Sequence, residues 1–104
     1  MTQTVKGGIR AIGTVCTGDT LVYTGPCIVY GARVNVVIGA SAIDLRDALS
    51  AGAGTVMLTI PALLAIGSGT DFGGVGCRFN TGLFVDFAST GTVTVLWEPV
   101  TPGD

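Results

Sequence analysis

Short apolar runs, broken roughly every 8 to 12 residues by glycine- and threonine-rich turns, fill the whole chain, the spacing of a small β-sandwich or barrel. The runs are Arg10–Thr17, Thr20–Thr24, Cys27–Ile38, Ala42–Arg46, Thr55–Ile60, Leu63–Ile66, Leu83–Ala88 and Thr92–Trp97. Seventeen glycines and fourteen threonines stand against one lysine and one glutamate. A helical bundle needs the opposite balance, since Ala, Leu, Glu and Lys favour helices while Val, Ile and Thr favour strands. The expected fold is therefore all-β: a small antiparallel, jelly-roll-like β-sandwich of about eight short strands. At 104 residues it forms one domain. With 48% hydrophobic and only 12% charged residues, intrinsic disorder is excluded.

Alternation gives each run its faces. In Cys27–Ile38 the set Ile28, Tyr30, Ala32, Val34, Val36 and Ile38 reads as one inward face, with Arg33 and Asn35 directed to solvent or a partner. Val56, Leu58 and Ile60 alternate with Thr55 and Thr59 in the same way. Asp44–Leu49 has the composition of a single helical turn, with Asp47 capping it through its own backbone. Pro61 ends the run before it or places it at an edge. Leu83–Ala88 and Thr92–Trp97 flank Ser89-Thr90-Gly91 and read as a hairpin with glycine in the left-handed position. Pairing Ala88 with Thr92 puts Leu83, Val85, Phe87, Val93, Val95 and Trp97 on one apolar face. Phe84 and Leu96 then lie opposite each other on the outer face. An exposed Phe–Leu pair is worth covering, so both are candidate interface residues.

Charge and composition exclude several functions. The net charge is −2, and Lys6, Arg10, Arg33, Arg46 and Arg78 are scattered, so there is no basic stripe for nucleic acid and no polybasic run for an anionic membrane. No stretch approaches the roughly 20 apolar residues of a spanning helix. The start of the chain lacks an apolar signal region, which predicts synthesis in the cytoplasm. Histidine is absent, removing imidazole ligands and the usual general base. Cys16, Cys27 and Cys77 have no metal-binding spacing, and reduced thiols serving as small hydrophobes are expected. Catalysis, a cofactor and a metal are therefore not expected.

The remaining candidates have structural explanations. Gly73-Gly74-Val75-Gly76 lacks the strand, helix and lysine of a phosphate cradle and reads as a loop. Asp44, Asp47, Asp71 and Asp86 are too dispersed for a calcium loop and suit turns and ion pairs. Tyr23, Tyr30, Phe72, Phe79 and Trp97 could form a sugar platform, but core packing accounts for them more simply. Arg78, between inward-facing Cys77 and Phe79, suits a carboxylate on a neighbouring subunit. The segments 1–8 and 99–104 are expected as an arm and a tail that grip a partner.

Gly76-Cys77-Arg78-Phe79-Asn80-Thr81-Gly82-Leu83-Phe84-Val85-Asp86, then Thr90-Gly91-Thr92-Val93-Thr94-Val95-Leu96-Trp97-Glu98, form a pattern of turns and strands, as does Tyr23-Thr24-Gly25-Pro26-Cys27-Ile28-Val29-Tyr30-Gly31. Together they cover about half the chain and resemble the small β-rich decoration or cement proteins of tailed bacteriophages. The resemblance implies a structural virion protein made in the host cytoplasm. It would bind the major capsid protein on the outer capsid surface as a homo-oligomer, dimer or trimer, and stabilise the lattice. Arg33, Arg78, Phe84 and Leu96 are the residues expected at such contacts. The competing expectation is a carbohydrate- or receptor-binding module, such as a β-domain associated with a tail fibre.

Overall fold

The computed structural model describes residues 11–72 and 75–100. Among these the chain is all-β, without helices, and forms two antiparallel sheets. Nine strands are present: β1 (Ile12–Cys16), β2 (Thr20–Thr24), β3 (Cys27–Val36), β4 (Ile43–Asp47), β5 (Thr55–Ile60), β6 (Gly69–Asp71), β7 (Cys77–Phe79), β8 (Gly82–Phe87) and β9 (Thr92–Pro99). One sheet runs β1-β9-β3-β6 with β7 also on β3; the other runs β2-β8-β4-β5. Strand pairs β1/β2, β3/β4, β5/β6 and β8/β9 each divide between the sheets, the two-sheet winding of a jelly roll. The core lies between them. Cys27, Val29, Val34, Val93, Val95 and Trp97 from the first sheet meet Ile43, Leu45, Ile60, Leu83 and Val85 from the second. Each fully buried side chain of this kind contributes about 1.5–3 kcal/mol. The polar end of Trp97 is satisfied where its Nε1 donates to Thr14 Oγ1 at 2.9 Å.

Three sequence expectations need correction. The largest concerns the hairpin. Leu83, Val85, Val93, Val95 and Trp97 are buried as expected, but β8 and β9 lie in different sheets and do not pair. Alternation fixes which residues face the core and cannot tell two paired strands from two strands facing each other across it. The link between them is held elsewhere, with the Gly39 amide donating to the Thr90 carbonyl at 2.8 Å.

The second correction is one of parity. β3 carries bulges at Tyr30 and Asn35, and each extra residue shifts the inward set by one. Cys27, Val29, Ala32 and Val34 are buried, while Val36 is 52% exposed. In β5 the register skips Met57; Met57 packs on the core and Val56 is exposed.

The third concerns local assignments. Leu63–Ile66 is a turn rather than a strand, and the three-residue strands β6 and β7 lie outside the eight runs read as strands. Residues 44–47 are extended in β4 rather than helical. β9 continues through Pro99, and the Val100 amide donates to the Pro26 carbonyl at 3.1 Å, so the chain expected as a tail is sheet at its start. The expected arm at 1–8, the rest of the tail and Gly73-Gly74 lie outside the described residues.

Candidate interaction surfaces

The most conspicuous surface lies where the segment after β5 returns along the end of β3. Four backbone hydrogen bonds join the two: Val34 to Ser68 at 2.8 Å, Gly67 to Val34 at 2.9 Å, Leu63 to Gly39 at 3.1 Å and Ile38 to Leu64 at 3.2 Å, donor first in each. These bonds hold Leu63 (72% exposed), Ile66 (66%), Val36 (52%) and Val37 (47%) in the open. Leu63 also adopts φ +63°, the only positive φ outside glycine among the described residues. A left-handed conformation costs a non-glycine residue about 1–2 kcal/mol, and strain of this kind gathers at functional sites. The sequence carried a signal for this tip that the strand reading missed: Leu63, Leu64 and Ile66 sit between Pro61 and Gly67, where a turn would ordinarily be polar.

The four residues expected at an interface do not converge. Leu96 is half-buried on the outer face of the first sheet, where it pairs with Gly13 on one side and Gly31 on the other. Arg33 is exposed on the same sheet, its Nη1 donating to the Gly67 carbonyl at 3.4 Å. Both line a shallow cleft of 180 Å³ together with Tyr30, Gly69, Thr70 and Asp71. Gly31 is required there, because a Cβ would lie 2.5 Å from the Thr70 carbonyl oxygen of β6. The Tyr30 hydroxyl donates to Glu98.

Arg78 lies on β7, opposite Ile28 at the other end of β3. It is exposed, and its Nε donates to Asn80 Oδ1 at 3.0 Å. Phe84 is on the second sheet and only 8% exposed. The β4–β5 loop explains its burial: a Cβ on Gly82 would touch Leu49, and the Gly52 amide donates to Asp86 Oδ2 at 3.1 Å. Gly82, Phe84 and Asp86 share a face, so the loop passes over Phe84. The facing pair of Phe84 and Leu96 does not exist.

The carboxylates serve the framework. Asp44 and Asp86 are directly opposite on β4 and β8, and Arg46 lies between them, 2.7 Å from Asp86 and 3.7 Å from Asp44. Thr59 Oγ1 donates to Asp44 at 3.0 Å. Asp47 does not cap its own turn. It accepts the amides of Thr81 (2.7 Å), Asn80 (3.0 Å) and Gly82 (3.3 Å), tying the end of β4 to the β7–β8 turn. Burial alone would raise the Asp47 carboxyl, but the three amides outweigh it and hold it below the usual range.

The three cysteines are free thiols. Burial, reinforced by the negative charge of Asp47, pushes Cys27 up to about 11. Burial raises Cys16 as well. Among the described residues no three Cys, Asp or Glu side chains come together as a metal site would require. Tyr23 stacks on Trp97 at 4.9 Å and Phe72 meets Phe79 edge-on at 6.2 Å, so four of the five aromatics considered as a platform pack in or against the core. No known family model, curated protein or solved structure matches the chain.

Proposed function

We propose that the chain is a structural subunit of a tailed-phage virion, a decoration or cement protein that binds the outer surface of the assembled capsid as a small oligomer. The observation that carries this reading is the tip of Leu63, Ile66, Val36 and Val37. A strained, exposed leucine on a rigidly bonded apolar loop costs an isolated subunit stability and solubility, and a docking partner accounts for it. The jelly-roll winding, shared with viral capsid domains and lectins, agrees with the reading by analogy. The mechanism is mass action: a subunit that binds the assembled lattice and not its free components stabilises that lattice. No catalytic residue, cofactor or metal is assigned.

The test is co-sedimentation of the purified chain with capsids and, separately, with tails of the phage that encodes it. Binding to capsids alone, with a higher capsid disruption temperature, is expected. Binding to tails or to immobilised glycans, with none to capsids, would overturn the assignment in favour of a receptor-binding module.

A further inference from the structure

A sheet edge exposes a row of unpaired backbone amides and carbonyls, and proteins blunt such edges with bulges, charges, prolines or shortness. In this molecule β2 has a bulge at Val22 and β5 a bulge at Met57. β6 and β7 are three residues each, and β7 includes Arg78. β1 differs from all of these. Its five residues carry no charge and no proline, and they pair with β9 one to one without a register shift. Among the described residues no strand lies on its other side.

We propose that β1 pairs antiparallel with β1 of a second copy across a two-fold axis at Thr14, joining the two larger sheets into one. The occupant is a second copy because the strand is complementary to itself. A two-fold at Thr14 places Gly13 opposite Val15 of the second copy, and does so twice. Val15 is 61% exposed on the outer face. Nothing within the subunit requires glycine at position 13: its φ is not left-handed, and a Cβ would make ordinary contacts with Thr94 at 3.4 Å and Leu96 at 3.7 Å. Glycine inside a strand weakens it and often marks the close approach of another group. Here the space over Gly13 borders Leu96, so the incoming valine finds an apolar wall. Ile12, 44% exposed, falls opposite Cys16 of the second copy. An uncharged strand also avoids the like-charge contacts that a two-fold would duplicate.

This deepens the proposed function, in which copies of the chain associate, but its test uses the isolated protein and succeeds or fails separately from capsid binding. Sedimentation velocity of the full chain over a dilution series should show a dimer passing to monomer. Val15→Lys, at an exposed position, should stay folded by circular dichroism and weaken the dimer at least tenfold, as should Gly13→Glu. The double variant Gly13→Glu/Val15→Lys should recover the dimer, because each new glutamate then faces a lysine of the other copy. Leu63→Ser should leave the dimer unchanged. A wild-type chain that is monomeric at every concentration would overturn the proposal, as would single variants that dimerise like wild type. Failure of the double variant to recover would overturn the register.

Discussion

Cys27 and Cys77 show how one residue type acquires different properties from its place in the fold. Cys27 is fully buried beside the Asp47 charge, and Cys77 is half-buried on a short outer strand. Labelling of the native protein at neutral pH should therefore modify Cys77 first and leave Cys16 and Cys27 slow. Because folding raises the Cys27 value from its ordinary 9.0 to about 11, the fold favours the neutral thiol. That contribution is complete below about pH 9 and is lost as pH rises through about 11, which chemical denaturation at alkaline pH would register. The free, apolar use of the cysteines was legible from their spacing and the absence of histidine. The role of Asp47 was not, since its partners lie 33 to 35 residues away and no local pattern marks such a contact. Asp47→Asn removes the charge from three amide hydrogen bonds and should cost about 1–3 kcal/mol at neutral pH. The wild-type carboxylate is held below its ordinary value, so its contribution is present above about pH 4 and fades as pH falls through the lower, folded value. Acid unfolding of the variant should accordingly be flatter.

Among the strands, turns were easier to read than partners. β2 and β5 begin and end where the glycine and threonine punctuation predicts, and Leu83 and Val85 of β8 and Val93, Val95 and Trp97 of β9 join the core as their alternation predicts. The bulges at Tyr30, Asn35 and Met57 were hidden because a bulge changes parity without changing residue type. Sheet membership was hidden for a related reason: Val85 and Val95 are inward whether their strands pair or face one another. The pairing found instead sets Asp44 against Asp86, a like-charge contact that Arg46 neutralises. Arg46→Met keeps most of the side-chain stem and removes that bridge. It should destabilise the domain by about 1–2 kcal/mol, and Arg46→Met combined with Asp86→Asn should recover part of the loss, measured by urea denaturation at neutral pH.

For the whole molecule, the jelly-roll winding leaves the two sheets' inner faces closed and places the chain's unusual features at its margins: the strained apolar tip at one end of β3 and β1, an edge strand among the described residues. The all-β class and the two-layer core were legible in the glycine, threonine and β-branched content. The tip was not, because an apolar turn and a short strand have the same composition, and only the backbone separates them. If the tip exists for docking, its leucine is kept against the interest of the isolated subunit. Leu63→Gly removes both the strain and the exposed side chain, so the free domain should gain about 1 kcal/mol and melt higher. The most direct measurement is the affinity of Leu63→Gly for capsids beside that of the wild-type chain. Covering a mostly exposed leucine is worth about 1.5–3 kcal/mol, so the variant should bind at least tenfold more weakly while melting at a higher temperature; equal affinity would contradict a docking role for the tip.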